Sequence, residues 1–369
     1  MKGEPYGNSE DNSSGFLGQH DIVNDDGIPN PEPYHCLVNA NNHILYSYPT
    51  LYESGTRMSS DTTFDVLRGG ADRLVIKGVA SGGGFATTFW ATNGIGGGGI
   101  SDWLTSPVAA DPIPANKVDF YQPLTIQWFY GPTNKSVFVA AGTTTNQVYV
   151  SLAPPNTSPL YHTVAHLACS VPGATTQSQA LENTWSLFSG LKVKTWDEQK
   201  LYYYSGSVSV LNEDVLWLLS SPAAPGKELH NGNCVAFARL LIASLGVNAV
   251  SAVEKAVTYN SGNEYAVKKV SFTPLNQPYP DPNYPFYHPI YGSGNQGQNN
   301  ANPTCKIFTM HDIAYSSVTG IYYDPSYGIT ATGETDYTQQ AIDGFGNSSS
   351  ASYWQKAANT NWTVHFTNF

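Results

Sequence analysis

From Tyr34 to Ala168 the chain alternates short β-favouring runs with clusters of Gly, Pro, Asn and Ser, and after Gly173 the alternation gives way to helical spacing. Runs such as Arg73 to Val79, Phe85 to Ala91, Leu124 to Tyr130, Ser136 to Ala140, Gln147 to Leu152 and Leu160 to Ala168 have the length and turn-rich borders that predict strands. Strands of this length bury an apolar face by stacking sheet on sheet, so the N-terminal part reads as all-β, of β-sandwich type. Beyond Gly173, Leu181, Trp185 and Phe188 recur at the spacing of one helical face. Asn212, Glu213 and Asp214 predict a second helix start, and Cys234 to Leu245 predicts a third, with Gly246 at its C′ position. Predicted strands return at about Val247 to Thr258, Tyr265 to Phe272, Lys306 to Tyr315 and Ile321 to Asp324.

A chain of 369 residues exceeds one average domain. The expected division is a flexible lead-in (1–33), a small β domain (34–112), a β-sandwich unit (113–172) and an α+β domain (173–369). Pro274 to Thr304 is a long insertion rich in Pro, Tyr, Asn and Gly, of the kind that is either functional or disordered.

Charge excludes one class of partner. With a net charge of −11 the chain has no surplus of Lys and Arg to neutralise a phosphate backbone, so nucleic acid is not expected. No stretch has the apolar length of a membrane span. Charged residues make up only 12%, and with Gly, Asn, Ser, Thr and Tyr filling their place the profile suggests a secreted or cell-surface protein, although no signal-peptide core is present. The four cysteines, Cys36, Cys169, Cys234 and Cys305, lack a CxxC pair and leave room for one disulfide if Cys234 stays a thiol.

The chemistry-bearing constellation is a helix-borne Cys234 followed by strand-borne His311 and Asp324. A thiol becomes a strong nucleophile as thiolate, and a helix N-terminus supplies both positive potential and unpaired N–H groups; Asn233 and Cys234 are the expected backbone support for an oxyanion. A hairpin centred between Ser317 and Val318 sets His311 opposite Asp324, so that the carboxylate orients the imidazole. Asp312, one residue along, is expected on the other face and is a poor triad member.

Gly232-Asn233-Cys234-Val235-Ala236-Phe237-Ala238 resembles the Gly-x-Cys-x-x-Phe-Ala segment of transglutaminase-like proteins, and Tyr323-Asp324-Pro325-Ser326-Tyr327-Gly328 is similar to the Asp-Pro segment that closes their triad. Asp312 and Ile313 stand where an aromatic residue commonly follows the His in that family. The resemblance, over about 175–369, implies a papain-like fold: a helical subdomain bearing the cysteine, packed on an antiparallel sheet bearing the other two residues. It implies a cysteine peptidase or amidase that attacks an amide or isopeptide carbonyl through a thioester acyl-enzyme, with a Cys-His-Asp triad and no required cofactor. Two alternatives stand beside hydrolysis: acyl transfer to an amine, which cross-links proteins, and a non-catalytic adhesion or polymer-binding role for the β domains.

Other signals are weaker. Trp196 and the insertion's Tyr284, Tyr287 and Tyr291 are candidates for a substrate groove, while Trp185 and Trp217 read as core. Asn24, Asp25 and Asp26 suggest a calcium loop but lack its spaced carboxylates. His162 and His166 have helical metal spacing inside a predicted strand, which argues against zinc, and His230 reads as a surface loop residue.

Overall fold

The computed structural model describes residues 19–23, 25, 35–36, 45–46, 50–54, 63–66, 74–82, 85–92, 102–104, 108–113, 116–132, 137–204, 213–220, 229–260, 263–267, 271–274, 287–290, 296–301, 307–347 and 354–368. The chain is β-rich, with mostly antiparallel sheets, and it divides into two compact units. The first comprises residues 1–21, 31–115 and 121–148, the second 22–30, 116–120 and 149–369.

In the first unit the main sheet is built from β1 (Gln19–Asp21), β2 (Thr50–Glu53), β3 (Leu74–Gly82), β4 (Phe85–Thr92), β5 (Val108–Ala109), β6 (Asp119–Pro132) and β7 (Val139–Ser151). Among the described residues its order is β1-β2-β7-β6-β3-β4-β5, with Leu45–Tyr46 also paired to β7. Trp128 anchors it: the indole is buried, lies against Phe89 at 5.9 Å and donates to Thr144 Oγ1 at 3.0 Å. Gly78 faces Trp128 across β3 and β6, and a Cβ there would come within 2.5 Å of the indole, so only glycine lets the ring lie flat over the strand. Strand β1 and the buried Ile22 fall in the stretch expected as a flexible lead-in. The reason is pairing: Gln19, His20 and Asp21 sit in register with Tyr52, Leu51 and Thr50.

The second unit carries five α-helices among its described residues: α1 (His162–Cys169), α2 (Gln177–Ser189), α3 (Val215–Leu219), α4 (Cys234–Val247) and α5 (Glu334–Ala341). The predicted strand at Leu160 to Ala168 is thus a helix. Val164, Ala165, Leu167, Ala168 and Cys169 are all buried, so the run has no periodicity to separate helix from strand. Asp25 decides it locally by accepting from the Thr163 amide and hydroxyl at the first turn. Thr176 caps α2 by accepting from the Gln179 amide at 3.2 Å, and Leu181 and Phe188 face inward.

Helix α4 is apolar on nearly every side. Ala236, Phe237, Ala238, Leu240, Leu241 and Leu245 are buried, which makes it the central helix of the unit. It runs past Gly246, which therefore serves close approach rather than a cap: a Cβ there would meet Asn156 Oδ1 at 2.7 Å and Thr157 Cβ at 2.8 Å. Against α4 lies an antiparallel sheet of β8 (Ala252–Thr258), β9 (Met310–Ser316), β10 (Ile321–Asp324), β11 (Ile329–Ala331) and β12 (His365–Asn368), in the order β11-β10-β9-β8-β12. A second sheet contains Asn263–Val267, Ser271–Pro274, Tyr287–Ile290, Ile307–Phe308, Ile342–Asn347 and Trp354–Lys356. No helix among the described residues is long and apolar enough to cross a membrane.

Candidate active site

Cys234 is the first residue of α4, and the chain enters it through a short parallel pairing of Tyr202–Tyr203 with Asn231–Gly232. Asn233 caps the helix, its side-chain oxygen accepting from the Ala236 amide at 3.2 Å. The amides of Cys234 and Val235 then remain as first-turn N–H groups without an intrahelical acceptor, beside the sulfur.

His311 and Asp324 meet from neighbouring strands. Pairing of β9 with β10 runs Ala314 to Tyr323, Tyr315 to Tyr322 and Ser316 to Ile321, which shifts the predicted pairing by two residues. A slip of two preserves the face, so Asp324 is the diagonal neighbour of His311 and still reaches it. His311 Nε2 lies 3.0 Å from Asp324 Oδ2. The carboxylate is held by its own turn, Oδ1 accepting from the amides of Ser326 at 3.0 Å and Tyr327 at 3.2 Å, and Oδ2 accepting from the Tyr337 hydroxyl at 2.8 Å. Gly328 completes that turn at φ 66°, where a Cβ would come within 2.7 Å of the Ser189 carbonyl oxygen.

The thiol itself turns to Asp312. Cys234 Sγ donates to Asp312 Oδ2 at 3.4 Å, so the residue expected on the far face of the strand reaches the sulfur. His311 Nδ1, the ring atom not used by Asp324, is buried and has no partner among the described residues. Burial alone would lower the His311 pKa, but the Asp324 carboxylate, and after it Cys234, raise it from 6.5 to about 10. The imidazole is enclosed by aromatic rings, Phe308 at 4.9 Å, Tyr327 at 5.6 Å and Tyr203 at 6.5 Å. His311 is 0% exposed and Cys234 5%, so the imidazole is screened from water while the thiol keeps a small exposure.

Gln298, in the insertion before the His strand, had no sequence signal beyond its polar surroundings. Fully buried, it donates to the carbonyls of Phe188 at 2.7 Å and Pro325 at 2.6 Å, and accepts from the Val193 amide at 3.2 Å. It ties the Asp324 turn to the end of α2. Asn299 and Asn300 brace Val193, Leu201, Tyr203 and Tyr204 in the same way, so this part of the insertion positions the site.

Other expected site residues lie elsewhere. Trp196 stacks on His162 at 4.1 Å. Tyr287 begins a strand, but its side chain and all of Tyr284 and Tyr291 lie outside the described residues. Asp25 serves Thr163, while Asn24 and Asp26 lie outside the described residues, among which no group of three or more His, Cys, Asp or Glu is placed to hold a metal. His230 is buried and donates from Nδ1 to the Leu218 carbonyl at 3.1 Å; Trp217, expected in the core, is 39% exposed on the outer side of the short α3. Trp185 is half-buried against Tyr323 at 5.1 Å. Cys169 is a buried free thiol whose pKa burial pushes up.

His162 and His166 do share a helical face, with the Tyr149 hydroxyl 3.0 Å from His162 Nε2 and 3.3 Å from His166 Nδ1. Burial, then the neighbouring His166, lowers the His162 pKa from 6.5 to about 3. A histidine depressed on folding contributes stability present above 6.5 and lost as pH falls towards 3, here up to about 5 kcal/mol. His311 works in the opposite sense, its contribution full below 6.5 and lost as pH rises through about 10. Urea unfolding across pH is expected to give maximal stability between these limbs, with His162→Phe flattening the acid limb; an unchanged acid limb would contradict the assignment. Searches against protein-family models and against curated proteins gave no match for the chain.

Proposed function

We propose that the protein is a cysteine-dependent amide hydrolase of peptidase or isopeptidase type, with Cys234 as nucleophile, His311 as base and Asp324 as orienting acid. The observation that carries this reading is the 3.0 Å contact between His311 Nε2 and Asp324 Oδ2, which leaves Nδ1 for the thiol at the start of α4. An imidazolium held by a buried carboxylate stabilises the thiolate beside it. The thiolate attacks the carbonyl, the Cys234 and Val235 amides receive the oxyanion, and His311 protonates the departing nitrogen. Water then resolves the thioester. The resemblance of the Cys234 and Asp324 segments to transglutaminase-like proteins supports the same chemistry, and the low share of charged residues supports an exported protein.

Hydrolysis and acyl transfer share the acylation step and part at the thioester. With a pool of short peptide and isopeptide substrates and a primary amine in excess, free acid is expected to be the main product by mass spectrometry. A majority of amine-capped acyl product would replace hydrolysis with transfer, and no cleavage of any amide would remove the reading.

A further inference from the structure

Asp312 is a buried group at the thiol that the reaction above leaves unused. It is 1% exposed, its Oδ2 accepts from Cys234 Sγ at 3.4 Å, and its Oδ1 is buried with no partner among the described residues. His311 Nδ1, adjoining the same residue, is equally without one. Nδ1 is the atom the reaction above gives to the thiol, so Asp312 Oδ1 is the orphan left to explain; buried polar atoms are normally satisfied, and a bare carboxyl oxygen beside the sulfur marks a place built to receive a hydrogen-bond donor from outside the chain.

The charges around the sulfur say which atoms. The His311 cation is matched by Asp324 at 3.0 Å, and Arg239 Nε by Glu254 Oε2 at 3.1 Å. Beside them Asp312 keeps a carboxyl oxygen with no partner among the described residues, and its pKa is raised chiefly by burial against the opposing charges of His311 and then Arg239.

We propose that Asp312 is a specificity-determining residue whose carboxylate receives the N–H groups of the scissile nitrogen, so that the site takes amides and isopeptides that release a primary amine. The inference rests on the reading of Cys234 as nucleophile. As the Sγ–C bond forms, the carbonyl π electrons move to oxygen. When the C–N bond breaks, its electron pair goes to nitrogen, which takes a proton from His311. The nitrogen then carries two N–H groups, and Oδ1 and Oδ2, the latter no longer occupied by the thiol hydrogen, accept them. An ester oxygen has no hydrogen before protonation and one after it, one fewer than the nitrogen at each stage, so esters are disfavoured.

The test needs no substrate. Cys234 is alkylated near neutral pH with cationic 2-bromoethylammonium, neutral iodoacetamide or anionic iodoacetate, each rate being normalised to free cysteine and assigned by peptide mapping. Comparing reagents on one thiol cancels any effect of Asp312 on how readily the thiolate forms. The cationic reagent is expected to exceed the anionic one by about tenfold or more in the native protein, and Asp312→Asn and Asp312→Ser to bring the ratio near one. A native ratio near one overturns the proposal without any variant, and so does a ratio that survives in a folded Asp312 variant. If Cys234 reacts with iodoacetamide no faster than free cysteine, the nucleophile reading fails; if it reacts fast without charge preference, only the role of Asp312 fails.

Discussion

Cys234→Ala is expected to leave a folded protein whose amide cleavage falls to background, a loss of about four orders of magnitude or more. Alanine suits the first turn of α4, where the helix is held by the Asn233 cap and by the buried Phe237, Leu240 and Leu241, none of which the substitution touches. Among the described residues the thiol hydrogen bond that is lost is the one to Asp312. Far-ultraviolet dichroism and the urea midpoint should therefore stay near native while turnover disappears. Near-native turnover in this variant would exclude a covalent role for the sulfur.

The second large effect concerns the buried acid-base pair. His311→Ala should cut turnover by about 10²–10⁴-fold, since the imidazole both stabilises the thiolate and protonates the leaving nitrogen. Asp324→Asn acts through the imidazole. With the carboxylate charge gone, burial is no longer opposed by its strongest counterweight, and the His311 pKa falls from about 10. The ion pair exists only below that pKa, so the alkaline limb of the rate profile should move down by about 1–3 pH units in Asp324→Asn. Turnover that falls with the limb in its native place would reduce Asp324 to a fold-stabilising residue.

Parts of this arrangement were legible in the residues and parts were not, for physical reasons. The order of Cys234 at a helix start with His311 and Asp324 on successive strands could be read because a helix cap and a hairpin are local, and because the face of a strand residue depends only on parity. The two-residue slip between β9 and β10 left the His311–Asp324 contact intact for that reason. The same alternation rule sets Asp312 on the other face from His311 but does not limit what the end of a neighbouring helix can reach, so its contact with Cys234 could not be read from the strand alone. Helix α1 was misread because a fully buried run carries no period, and its first turn depends on Asp25, a residue distant in sequence. Gln298 could not have been found at all: one glutamine in a polar insertion looks like any other until the carbonyls of Phe188 and Pro325 come to it from elsewhere in the chain.

The central claim is that Cys234 is a thiol activated by His311, and the most direct measurement of it is the rate of iodoacetamide labelling near neutral pH, resolved by peptide mapping. Labelling at Cys234 is expected to outpace free cysteine in the native protein and to slow sharply in His311→Ala, while the fully buried Cys169 stays unlabelled in both. Labelling of Cys234 at or below the rate of free cysteine, or at the same rate with and without His311, would contradict the account.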